Sequence, residues 1–153
     1  MTSTPNAAAL AGITVLDVAG PLGNYCGKLF SDLGARVILV EPPEGAPTRH
    51  VEPRVSGRDD LDSSLTFQYQ NTNKESIALD LDSAAGQEVF RKLASQATLV
   101  IESEQPGVMA RRGLGFADLN KINPSLTLTS ITAFGQSGPF AHWLATDLTA
   151  MGL

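Results

Sequence analysis

The chain has 153 residues, 42% of them hydrophobic and 18% charged, with a formal net charge of −5. That composition supports one domain with its own core and excludes a disordered chain. The negative balance excludes a binder of nucleic-acid backbone, which needs clustered Lys and Arg, but leaves room for a local arginine pocket that takes an anion.

Cys26 is the single cysteine, so a disulfide framework and a thiolate metal cluster are both excluded. The apolar run AAALAGITVL near the N-terminus lacks the positive segment of a secretion signal and is too short to span a bilayer. These features predict a protein of the reducing cytoplasm with no membrane partner.

Residues 1–9 are small and polar and are expected to fray, which leaves 10–153 as the domain. Ile13–Val18 is short, apolar and rich in β-branched residues, and reads as a buried strand. Glycines at 20 and 23 end it. Tyr25, Cys26, Leu29, Phe30 and Leu33 recur at helical spacing, and Gly34 stands where a helix C-terminal glycine belongs. Val37–Glu41 is a second buried strand, stopped by Pro42 and Pro43. Strand, glycine turn, helix and strand in that order make a βαβ unit and hence a parallel sheet.

Residues 42–65 form a polar loop with four prolines, a length that points to a lid or a partner contact. A strand at 76–80 and a helix over 83–94 follow, the helix carrying Val89, Phe90 and Leu93 on one face. Next come a strand at 98–102, a short helix from Pro106 to about Arg112, a helix over 116–122 and a Thr-rich strand at 126–132. A glycine-containing loop at 135–138 completes the pattern. The expected fold is α/β: a Rossmann-like, mostly parallel sheet with helices on both faces.

The first glycine turn invites a nucleotide site. A P-loop needs four residues between its glycines and then Lys followed by Ser or Thr. Gly23 and Gly27 are separated by three, and Lys28 precedes Leu29, so a P-loop is excluded. Gly20, Gly23 and Gly27 are also misspaced for a dinucleotide fingerprint, although Glu41 ends the next strand as that motif requires. A dinucleotide-dependent enzyme therefore remains as an alternative. The helix start after Gly23 still offers N–H groups to a phosphate or carboxylate.

His50 and His142 have no carboxylate cluster around them, which argues for surface histidines and against a metal. Cys26 falls on the apolar helix face and reads as a small core residue. Asp59, Asp60 and Asp62 read as solvated charge. Arg111 and Arg112 follow a strand end, where open α/β sheets bind ligands, and Arg grips phosphate with two parallel hydrogen bonds. An exposed pair placed against a helix C-terminus accounts for them equally well.

Six ordered motifs carry a resemblance: LAGITVLD, LFSDLGARVILVEPP, NTNKESIALDL, PGVMARRGLG, INPSL and AFGQSGP. With these, the chain from Leu10 to Leu153 resembles the N-terminal third of the family III coenzyme A transferases, the CaiB/BaiF type, which include formyl-CoA transferase. The resemblance implies an incomplete large domain of a Rossmann-like fold. It implies coenzyme A as substrate and no permanently bound cofactor. Transferase members move CoA between carboxylic acids through an aspartyl-CoA intermediate and form interlocked homodimers.

The positions matching the family's CoA contacts are Asn71, Asn73, Lys74, Leu79, Ser103, Glu104, Val108 and Arg111. Ser103-Glu104 replaces the family's usual Asn-Phe, and Pro42 stands where a basic residue is common. By the same resemblance the nucleophilic aspartate lies about thirty residues beyond Asp147, past the last residue. Asp147 is then a secondary acid. Racemase members carry Gly-His-Asp where this chain reads Ala145-Thr146-Asp147, so a transferase is expected and not a racemase. A partner chain supplying the C-terminal half, with acyl-CoA and carboxylic acid substrates, completes that expectation. A non-catalytic module for CoA or a nucleotide stands beside it.

Overall fold

A computed structural model describes residues 8–146, 148, 151 and 152. In chain order the elements are β1 (Thr14–Val18), α1 (Asn24–Asp32), β2 (Arg36–Glu41), α2 (Leu65–Gln70), β3 (Glu75–Ala78) and α3 (Ala84–Ala94). They continue with β4 (Leu99–Glu102), α4 (Val108–Arg111), α5 (Phe116–Ile122) and β5 (Thr127–Ser130). The five strands form one sheet in the order β3-β2-β1-β4-β5, and every neighbouring pair is parallel. This is the expected α/β, Rossmann-like architecture.

Side chains alternate across a strand, and the core divides accordingly. Leu16, Ile38, Val40 and Val100 meet Phe90 and Ala94 of α3, Met109 of α4 and Leu119 of α5. Val15, Val37 and Ile101 face the other way, against Cys26 and Phe30 of α1. Helices thus cover both faces, as parallel strands with apolar runs on each side require. Burial pushes the Cys26 thiol up, with the Asp17 charge adding to the effect, which suits a core residue. Tyr25, Leu29 and Leu33 share the helix with Cys26 and Phe30 yet remain about half exposed. The apolar repeat of α1 therefore covers more than the face that packs. Gly34, at φ 94°, ends the helix in the left-handed region, and Ala35 N–H bonds back to Phe30 O at 3.0 Å.

One charged residue interrupts the apolar centre. Asp17 lies mid-sheet facing α1 and is fully buried. Its Oδ2 accepts from Lys74 Nζ at 2.7 Å and its Oδ1 from Ala19 N–H at 3.0 Å. The Lys74 ammonium also donates to Asn24 O at 2.7 Å and Asn71 Oδ1 at 2.8 Å, so all three of its protons are used. Burial pushes the Asp17 carboxyl up and the Lys74 ammonium down, each against the pull of its partner. Gly27 makes the approach possible, because a Cβ there would lie 2.1 Å from Asp17 Oδ2.

The proline loop is not an open lid. A 3-10 turn at Pro47–His50 brings Arg49 onto Glu41, with Nε–Oε2 at 2.5 Å and Nη2–Oε1 at 2.7 Å. Ala46 N–H and the Ser76 hydroxyl complete the shell of Glu41. Arg49 also lies 3.7 Å above the Phe67 ring and bonds Asp62 Oδ1. Farther along, Arg54 bridges to Ser64, and Val55 N–H reaches Ser63 O at 2.8 Å. Helix α2, unanticipated in the sequence, begins where Ser64 Oγ accepts Phe67 N–H at 3.2 Å. Its six residues include Thr, Phe and Tyr, poor helix formers that hide so short a helix.

Removing one partner of a buried pair strands the other charge, so Lys74→Met is expected to cost about 3–5 kcal/mol in urea unfolding. Adding Asp17→Asn to it should recover most of that loss; no recovery would show that Lys74 acts by packing alone. Burial by itself raises the Glu41 carboxyl, but Arg49, Ser76 and Ala46 together hold it below the ordinary glutamate range. Its stabilising contribution is therefore complete above that range and is lost as pH falls through the depressed folded-state value. Urea midpoints followed downward from pH 6 should fall less steeply in Glu41→Gln than in the parent, from a lower plateau at neutral pH.

Candidate functional site

The chain leaves β1 toward β2 and leaves β4 toward β5, on opposite sides of the β1–β4 seam. Where strand order reverses in this way, the loops after the two strands diverge and open a crevice at their carboxyl ends. The seam is closed at its base by a side chain, since Gly20 N–H after β1 donates to Ser103 Oγ after β4 at 2.8 Å.

Two cavities of about 300 Å³ each lie along this edge. The first, beyond β4 and β5, is walled by Leu22, Ser103, Glu104, Ile131, Phe134 and Trp143 among others. Trp143 packs edge-on to Phe134 at 6.2 Å and tilted against Phe140 at 4.5 Å, so this cavity is largely apolar. The second, beyond β2 and β3, is walled by Pro42, Leu79, Asp80, Asp82, Glu104 and Arg112 among others, and has less apolar surface. Glu104 belongs to both walls.

Local hydrogen bonds set these groups in place. Glu102, buried at the end of β4, accepts Glu104 N–H on its Oε2 at 2.7 Å and so fixes the Ser103–Glu104 backbone. Leu79 N–H bonds Glu41 O at 2.8 Å, which carries the β2–β3 pairing to the cavity floor. Arg112 caps α4 and donates to Asp82 at 2.7 and 3.2 Å and to Glu104 Oε1 at 2.8 Å. Those hydrogen bonds to Asp82 and then Glu104 raise the Arg112 guanidinium further and lower the Asp82 carboxyl.

The eight residues matched by resemblance do not converge on one surface. Leu79, Ser103 and Glu104 wall the cavities. Val108 is half-buried at the start of α4 and Arg111 exposed at its end, and neither walls either cavity. Among the described residues Arg111 forms no ion pair, and its guanidinium folds back toward Gly107. Asn71 and Lys74 belong to the buried knot on Asp17. Asn73, in the left-handed region at φ 64°, bonds Asp32 at the end of α1. Asp147 lies outside the described residues.

The glycine turn differs from expectation. The N–H groups of Gly23 and Asn24 bond Gly20 O, those of Cys26 and Gly27 bond Gly23 O, and that of Gly20 is held by Ser103. These donors are taken, so the turn is not the open anion cradle that the helix start suggests. Gly23 serves packing instead, because a Cβ there would meet the Ala19 side chain at 2.4 Å. His50 and His142 are both exposed. Among the described residues no group of three or more His, Cys, Asp and Glu side chains is placed to hold a metal, and no helix is long and apolar enough to cross a membrane.

Comparison with known proteins fits this fold. The model of CoA-transferase family III matches residues 10–153. Over 139 residues the chain is 43% identical to the succinyl-CoA:(R)-benzylsuccinate CoA-transferase subunit BbsE of Thauera aromatica, covering 91% of this chain and 34% of that protein. It is 40% identical to the acetyl-CoA:oxalate CoA-transferase of Acetobacter aceti, over 89% of this chain and 34% of the relative. A crystal structure of a CAIB/BAIF family protein from Brucella suis superposes with a TM-score of 0.86 at 38% identity, covering 94% of this chain and 38% of that one. The chain thus spans about a third of the length of the relatives it matches. Motifs, sheet order and matched span agree, and the chain belongs to CoA-transferase family III.

Proposed function

We propose that this protein is the CoA-binding segment of a transferase that moves CoA between carboxylic acids. The observation that carries this is the pair of cavities meeting at Glu104 on the carboxyl edge of the sheet, one polar and one apolar. The nucleotide end of CoA enters the polar cavity over Leu79, with Arg111 reaching its phosphates from the rim. The pantetheine arm passes Ser103 and Glu104, close to Val108. The acyl end lies against Phe134 and Trp143. Asn71, Asn73 and Lys74 shape the cleft from beneath, by holding the start and the end of α1. Asp147 serves as a secondary acid.

The chemistry is nucleophilic catalysis. An aspartate carboxylate attacks the acyl-CoA carbonyl, the C–S bond breaks, and CoA thiolate departs from a mixed anhydride. The thiolate then attacks the aspartyl carbonyl, releasing the product carboxylate and leaving aspartyl-CoA. The incoming acid runs both steps in reverse. In this proposal the aspartate comes from polypeptide outside these 153 residues, in a homodimer or with a partner chain. The relatives' greater length supports that assignment. The single free Cys26 is consistent with a cytoplasmic site of action.

Calorimetry should detect CoA binding, weakened about tenfold by Arg111→Ala, the effect of one charge-assisted phosphate contact. The chain alone should show no transferase turnover, and turnover should appear when a polypeptide carrying the C-terminal two-thirds of a relative is supplied. Turnover by the chain alone sinks the division of labour. CoA binding without turnover after complementation leaves a non-catalytic CoA module. Saturable quenching by NADH in the absence of any CoA binding would favour the dinucleotide alternative.

A further inference from the structure

The polar cavity holds a charge imbalance that the fold does not require. Four carboxylates, Glu44, Asp80, Asp82 and Glu104, face it, against one guanidinium, Arg112. That guanidinium is already engaged, on one edge with Asp82 at 2.7 and 3.2 Å and on the other with Glu104 at 2.8 Å. Any phosphate-bearing ligand entering there meets an excess of negative charge and gains a charge-assisted contact only if Arg112 changes partner.

Exposure decides how readily it can. The Arg112 side chain is 18% exposed, whereas Glu104 is 34% and Asp82 76% exposed. Because both carboxylates keep contact with water, either can be re-solvated on release, so exchanging a partner costs Arg112 less than breaking a sealed pair would. A phosphate offers the same planar fork a doubly charged acceptor that can take two parallel hydrogen bonds. Glu104 stands where the two cavities meet, and its backbone is pinned by Glu102. The side chain alone is then left to swing aside. Contrast Arg49, whose bonds to Glu41 are buried and cannot be exchanged at small cost.

We infer that Arg112 is the phosphate-gripping cation of this cavity and that Glu104 is its internal competitor, setting how tightly phosphate-bearing ligands bind. The inference rests on the CoA reading for its natural ligand but not for its physics. Arg112 follows Arg111 in sequence, yet the two do different work. Arg111 is exposed and walls neither cavity, so it would reach a ligand only from outside, whereas Arg112 acts inside the wall and only after Glu104 yields.

Three probes separate the possibilities: CoA, adenosine 3′,5′-bisphosphate, which has the phosphates without the thiol arm, and pantetheine, which has the arm without phosphates. Calorimetry on the whole 153-residue chain would compare the parent with Glu104→Gln and Arg112→Met, each checked by thermal melting. Glu104→Gln is expected to tighten CoA and the bisphosphate by about tenfold and to change pantetheine, which carries no phosphate, far less. Arg112→Met should weaken both phosphate ligands by a similar factor and again spare pantetheine. Equal or weaker binding of the phosphate ligands to folded Glu104→Gln overturns the inference, as does an equal loss of pantetheine in Arg112→Met. Bisphosphate binding with the expected pattern but no CoA binding leaves the inference standing and removes the CoA reading. Binding of neither phosphate probe by any variant removes both.

Discussion

Everything at the carboxyl edge of the sheet depends on a carboxylate placed where none is comfortable. Asp17 occupies the central strand with strands on either side and α1 above it. Desolvation of that group is tolerable only because Lys74 brings a full charge to 2.7 Å and because the remaining lone pairs and protons also find partners. The partners chosen are the informative part. Ala19 N–H belongs to the turn that leaves β1, and Asn24 O to the first residue of α1. One ion pair therefore fixes where the chain turns. From that turn Gly20 reaches Ser103 across the seam, so the buried pair indirectly sets the width of the crevice.

Three clusters of charge share this half of the molecule, and burial separates their roles. Asp17–Lys74 is sealed, and Glu41–Arg49 nearly so, with side chains 4% and 13% exposed. Both tie distant segments together: Lys74 joins the β3 approach to α1, and Arg49 joins the proline loop to β2. The third, Arg112 with Asp82 and Glu104, has the same chemistry, but its carboxylates stand open to water. Exchangeability follows from that difference in hydration and not from any difference in residue type. A loop that the sequence offers as a lid is thus rigidly tied, while the adaptable element is a single guanidinium.

The elements with strong periodicity were legible. The first two strands, α3 and α5 fall within a residue or two of their expected bounds, because buried parallel strands and amphipathic helices leave a clear imprint. Helix α2 was not: six residues with poor helix formers give no period to follow its Ser64 cap, and Arg49 lying on Phe67 is a contact that no local pattern encodes. The candidate site was half legible. Ser103, Glu104 and Leu79, marked in the sequence only by the family resemblance, reach the cavities because they follow the ends of β4 and β3. Lys74 shares a motif with Leu79 but points under α1 to meet Asp17. The signal for that was present: an acid inside VLDV has to find a buried cation, and Lys74 lies in a strand approach that α1 covers. The sequence offered Arg111 and Arg112 together, and the resemblance chose Arg111; adjacent residues on a helix end face different ways, and only coordinates say that Arg112 walls the polar cavity.

Glu104 and Arg112 are best understood together. An acid at 104 alone would put a fourth carboxylate into a cavity without a cation, and an arginine at 112 alone would be held by Asp82 with no second carboxylate on its other edge. As a pair they leave the local charge as it would be with two neutral residues. What changes is the response to a ligand. A neutral wall binds phosphate by whatever donors it has, while a paired wall binds only what can outbid a carboxylate already in place. That converts affinity into discrimination, because weak monoanions lose to Glu104 whereas multiply charged phosphates do not. The cost to the fold is small, since both side chains keep contact with water at the cavity rim.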